Sequence, residues 1–123
     1  MTFLLEYDII NTTKGKKVII MMYRLSRHAQ VERQDRLFAI IDTIGIGKEV
    51  DKFYNAERDN YEVFTDTGVM LVVDDKNTLI TAYAVDLNRA RAVYCNHGRS
   101  HISPRVADKI LRNETHYKFL FNL

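Results

Sequence analysis

The sequence predicts an α+β fold, with an N-terminal helix packed on an antiparallel β-meander, an N-terminal hairpin and a C-terminal helix. Three observations predict it. A helical pattern over residues 26–44 is followed by three short strand-like runs between 61 and 85, joined by tight turns. Ser103-Pro104 then starts a further helix, with a cap and a first-turn proline in order. Strand and helix nowhere alternate in the manner of a parallel βαβ sheet.

Each element has its own warrant. Residues 3–10 and 18–23 are rich in β-favouring types and flank the turn signal Asn11-Thr12-Thr13-Lys14-Gly15-Lys16, which reads as a hairpin. Ser26 is placed to cap the long helix. Val31, Leu37, Phe38, Ile40, Ile41 and Ile44 form its apolar face, and Gly45 supplies a left-handed stop. Residues 48–56 read as a short second helix, with Val50, Phe53 and Tyr54 as its contacts. Residues 61–65 alternate as a strand does. Residues 69–73 are almost wholly apolar, which predicts a central strand covered on both faces. Residues 78–85 are β-branched and aromatic. Short turns at 66–68 and 74–77 favour antiparallel neighbours. Asp86 is placed to cap a short helix over 87–94. Val106, Ile110 and Leu111 give the last helix its apolar face, and Phe119, Leu120 and Phe121 are expected to dock the end of the chain on the core.

The 123 residues suit one domain, 1–123, with no repeat and no linker-like stretch. Cys95 is the only cysteine, so no intramolecular disulfide forms, which fits a reducing compartment. The N-terminus lacks a secretory pattern, and the longest apolar run, 18–23, is far too short to span a bilayer. A cytoplasmic protein without a membrane partner is the expectation. A net charge of +2 is too small to mark a dedicated nucleic-acid binder. Cys95, His97 and His101 lie close together but lack the spacing of a structural zinc site. They read as a polar loop with a half-buried thiol, and no metal or other cofactor is expected. His97, His101 and His116 are expected on loops or helix surfaces.

A phosphate-cradling glycine loop, a dinucleotide fingerprint, a metalloprotease helix motif and a nucleophile elbow are all absent from the sequence. Two segments stand out instead. One opens the long helix as Ser26-Arg27-His28-Ala29, with Glu32, Arg33 and Arg36 on the following turns. The other is Ile80-Thr81-Ala82-Tyr83 on the third meander strand.

Together these segments resemble the small RNase-toxin-like domains of the barnase–EndoU–colicin E5–RelE class, which includes many short phage and toxin proteins. The likeness covers roughly residues 25–85 and rests on short motifs. It implies helices packed on an antiparallel sheet and RNA cleavage without a metal. It implies catalytic roles for His28, Arg33, Arg36, Thr81 and Tyr83. Glu32 stands where the class has its one-turn arginine, so Arg33 is one position off the pattern.

The chemistry is consistent with that set. Attack by a 2′-OH needs a proton acceptor and a donor to the leaving oxygen, and an imidazole serves in either role. Guanidinium forks stabilise the developing phosphorane. Thr81 and Tyr83 share a strand face by the period of two. Arg24, Arg27, Arg89 and Arg91 are the candidate substrate-binding residues. The alternative for the helix is a solvated mixed-charge face through His28, Glu32, Asp35 and Arg36, opposite the apolar stripe. On that wheel Gln30, Arg33 and Gln34 fall on the apolar side, which favours Arg33 over Arg36 as a cleft residue.

Two functions follow. The first is a metal-independent ribonuclease-like toxin or phage effector cleaving RNA by 2′-OH transphosphorylation, with an antitoxin or host target as a protein partner. The second is a non-enzymatic, phage-type inhibitor or adaptor binding a host protein. Nucleic-acid binding without cleavage is a weaker third, disfavoured by the near-balanced charge.

Overall fold

The computed structural model describes residues 3–4, 9–11, 17–19, 24–25 and 34–122. Its centre is an antiparallel meander of β5 (Glu49–Asn55), β6 (Asn60–Thr65), β7 (Val69–Val73) and β8 (Thr78–Ala84). Two short strands, β1 (Phe3–Leu4) and β4 (Arg24–Leu25), extend this sheet beyond β8. The spatial order is β1-β4-β8-β7-β6-β5. β4 joins β8 in parallel, a pairing that no sequence pattern announced. The expected hairpin is present as β2 (Ile9–Asn11) and β3 (Lys17–Ile19), paired antiparallel.

Helices cover both faces of the meander. On one side α1 (Gln34–Thr43) buries Leu37, Ile40 and Ile41 against Val63, Leu71, Val73 and Leu79. On the other, α2 (Leu87–Asn96) and α3 (Pro104–His116) bury Ala90, Tyr94, Val106 and Ile110 against Phe64 and Met70. β7 is therefore covered on both faces, as its apolar run predicts. Each fully buried aliphatic side chain contributes about 1.5–3 kcal/mol relative to exposure, so the two clusters dominate the stability.

Gly45, at φ +90°, ends α1 by donating to the Ile40 carbonyl at 2.8 Å. Residues 26–33 of the anticipated long helix lie outside the described residues. Asp86 caps α2 by accepting from the Arg89 amide at 2.7 Å. Ser103 and Pro104 open α3, but the Ser103 hydroxyl makes no cap bond to the helix.

Several expectations are corrected. Residues 48–56 are not a helix but the edge of the meander, β5. Its inward row is Asp51, Phe53 and Asn55, so its burial pattern does not read as alternating apolar and polar. Cys95 lies in α2, not in a loop, and is exposed. Leu111 and Phe119 are also exposed, and within the closing 3₁₀ helix (Lys118–Asn122) it is Leu120 that is buried.

Two local devices set which side chains meet across the sheet and its helices. The pairing of β8 with β7 slips by one residue between Val72 and Val73, which pair with Thr81 and Leu79. This bulge at Ile80 sends Leu79 to the α1 face, while Thr81 and Tyr83 face the α2 side. Gly68, at φ +80°, brings the β6–β7 turn against α3, where an added Cβ would lie 2.9 Å from the Ile110 amide nitrogen. Among the described residues no helix is long and apolar enough to cross a membrane.

Candidate functional site

Arg36 leaves α1 on the flank of the apolar stripe, one turn before Ile40. Its Nη2 donates to the Thr81 hydroxyl at 2.6 Å. Its guanidinium carbon lies 4.2 Å from the centre of the Tyr83 ring. Arg36 thus starts on the α1 side of the sheet and ends on the Thr81–Tyr83 side. Only Thr78 and Leu79 of β8 are paired with β4 among the described residues, and Arg36 crosses just beyond them. Both Arg36 and Thr81 are buried. The reading of Arg36 as part of a solvated face is therefore overturned, because a long stem at the edge of a stripe carries its head group inward.

Arg89, in the first turn of α2, brings a second guanidinium to within 5.1 Å of the Tyr83 ring centre. Such contacts are worth about 0.5–2 kcal/mol, more when desolvated. Here they place two positive charges on one phenol. Tyr83 and Arg89 line a cleft of about 240 Å³ with Arg58, Asn60, Glu62 and Asn55. The cleft is the part of the sheet face that α2 and α3 leave open. Arg58 and Arg89, two amides and a phenol converge there with Glu57 and Glu62, so the lining is polar and balanced in charge.

The structure brings together three of the sequence-predicted residues, Arg36, Thr81 and Tyr83, with Arg89 beside them. It separates Arg91, which is exposed and lines a different hollow. His28, Arg27 and Arg33 lie outside the described residues. Arg24 is in β4, opposite Thr78 in register.

A second polar cluster has no counterpart in the sequence reading. Asp51 of β5 accepts from the Tyr94 hydroxyl and, at 2.6 Å, from the Ser103 hydroxyl. Its other oxygen lies 3.5 Å from Arg99. Burial raises the Asp51 carboxyl, but hydrogen bonds from Ser103 and Tyr94 and the charge of Arg99 outweigh it, so its pKa falls below the usual 3.8. Burial, then the hydrogen bond to Asp51 and its charge, push the Tyr94 phenol far above its ordinary range. Nearby, His97 stacks on Phe53, with ring centres 4.9 Å apart, and its Nε2 lies 3.2 Å from Glu62. His97 lies in the turn that closes α2, as expected for a loop position, and is half-buried against Phe53, whereas His101 and His116 are exposed. The one available signal was the polar Asp51 between Val50 and Phe53, and it pointed to helix and strand alike.

Among the described residues no three His, Cys, Asp or Glu side chains gather as a metal site requires. No family model, no curated protein and no solved structure matches the chain.

Proposed function

We propose that the chain is a metal-independent ribonuclease-like domain of the toxin or phage-effector kind, which binds RNA at the Tyr83 cleft and cleaves it by 2′-OH transphosphorylation. The observation that carries this reading is the pairing of Arg36 and Arg89 on Tyr83, next to Thr81, at the mouth of a polar cleft. Arg89 is exposed and meets the phosphate. Arg36, being buried, fixes the phenol and adds a positive field to the developing phosphorane. The Tyr83 hydroxyl orients a phosphate oxygen. His28 accepts the proton from the 2′-OH as the P–O2′ bond forms, and the P–O5′ bond breaks as the leaving 5′ oxygen takes a proton from solvent.

The test is incubation of RNA with purified wild type and His28→Ala in EDTA, with the product ends analysed. Cleavage that leaves 2′,3′-cyclic phosphate and is lost in the variant supports the reading. Intact RNA in the presence of folded wild type rejects it. The second reading, an inhibitor or adaptor that binds a protein, draws on Leu111 and Phe119, which expose 48% and 60% of their surface on α3 and the closing 3₁₀ helix. Its mark is stoichiometric capture of a defined protein by a chain that leaves RNA intact.

A further inference from the structure

On the side of α2 away from Arg89, Asn88, Arg91, Ala92 and Cys95 recur at helical spacing and form one wall of a second hollow, of about 430 Å³. The facing wall comes from Arg99, Ser100 and Ile102. The lining residues include two arginines and no carboxylate.

Arg99 is held before any ligand arrives. Asp51 lies 3.5 Å behind its Nη1, and its guanidinium carbon is 5.6 Å from the Tyr94 ring centre and 5.9 Å from that of Phe53. Fixing a charged head group in this way lowers the ordering cost of binding. Arg91 is exposed and adds a second positive charge. Ser100 and Asn88 supply neutral donors, while Ile102, Ala92 and the Tyr94 ring make the remainder apolar.

We propose that this hollow is a second anion site, which takes a phosphate carried on a planar or apolar group, as in a nucleotide. Arg99 and Arg91 engage the phosphate, and Ile102 and Ala92 pack against the attached group. The site stands apart from the Tyr83 cleft, and nothing in it requires that RNA be cut there. The same chemistry is offered by a free mononucleotide and by a nucleotide within a single strand.

The test is titration of the full chain with 5′-AMP and, separately, with inorganic phosphate at low salt, followed by backbone amide NMR shifts. AMP is expected to bind at least tenfold more tightly than phosphate, with shifts centred on Asn88, Arg91 and Ser100. Arg91→Gln and Arg99→Gln are each expected to weaken AMP at least fivefold, and Arg112→Gln, exposed on α3 and outside both clefts, to leave it unchanged. Arg91 is exposed, so its variant stays readable if Arg99→Gln disturbs the fold. Displacement of AMP by a short 2′-deoxy oligonucleotide assigns the site to a nucleic-acid strand, and failure to displace assigns it to a free nucleotide. Absence of AMP-induced shifts in folded wild type, or an affinity unchanged in both hollow variants, overturns the proposal.

Discussion

The Arg36 guanidinium lies 4.2 Å from the centre of the Tyr83 ring while donating to Thr81 at 2.6 Å, so one buried cation ties α1 to β8 just past the residues that pair with β4. Thr81→Val removes that acceptor and leaves the shape of the side chain. Because the donor is charged, the expected cost is about 1.5–3 kcal/mol, read as a lower urea midpoint with an unchanged m-value. Arg36→Lys is expected to fall short of wild type as well, since an ammonium lacks the planar fork.

Arg89 presents its charge to the same ring from an exposed position. Arg89→Gln is expected to keep stability within about 0.5 kcal/mol of wild type. It is also expected to lower the magnitude of the salt slope of RNA binding by about 1. Fluorescence anisotropy across a salt series measures the second effect, and an unchanged slope would remove Arg89 from the interface.

Asp51 and Tyr94 predict opposite pH limbs. The folded Asp51 pKa is depressed, so its stabilising share is complete above the ordinary value of 3.8 and is lost as pH falls through the lower folded value. The folded Tyr94 pKa is raised, so its share is complete below the ordinary 10.0 and declines only as pH rises above that towards the folded value. Asp51→Asn should flatten the acid limb of a stability–pH curve, and Tyr94→Phe the alkaline one. Denaturant midpoints taken from pH 2 to 11 would show whether each substitution acts on its own side.

Gly68→Ala is expected to be among the more damaging single substitutions. It adds a Cβ at φ +80° within 2.9 Å of α3 backbone. The conformation alone costs roughly 1–3 kcal/mol, and the contact forces the β6–β7 turn off the helix. The Asn113 side chain, which donates to the Thr67 carbonyl at 2.9 Å, would lose its partner in the same movement. A thermal melt shifted by no more than a degree or two would contradict this account.

The central strands and the starts of α2 and α3 were legible because their signals are local. Residues 69–73 could hardly be anything but a covered strand, and Asp86 caps as its type suggests. β5 was not legible. Its inward positions hold Asp51 and Asn55, and the reason for a half-buried aspartate lies 43 and 52 residues away, at Tyr94 and Ser103. Val50, Phe53 and Tyr54 meanwhile have the spacing of a helix. The candidate site was half legible. Thr81 and Tyr83 follow from the period of two, but the helical wheel sets Arg36 opposite the apolar stripe and favours Arg33, because it cannot show that a long stem carries its head group to β8. Arg89 entered as a generic basic residue, and its position on Tyr83 depends on how α2 crosses the sheet.

The bulge at Ile80 makes β8 a strand with two phases. In an unbroken strand Leu79 would point the same way as Thr81 and Tyr83. Pairing β8 with β7 without this slip would therefore bring either a leucine into the polar cleft or the threonine–tyrosine pair into the α1 core, whereas deleting Ile80 would keep both phases, because Leu79 and Thr81 would then be neighbours on a regular strand. The relative phase of side chains along β8 is thus set by a one-residue slip at position 80.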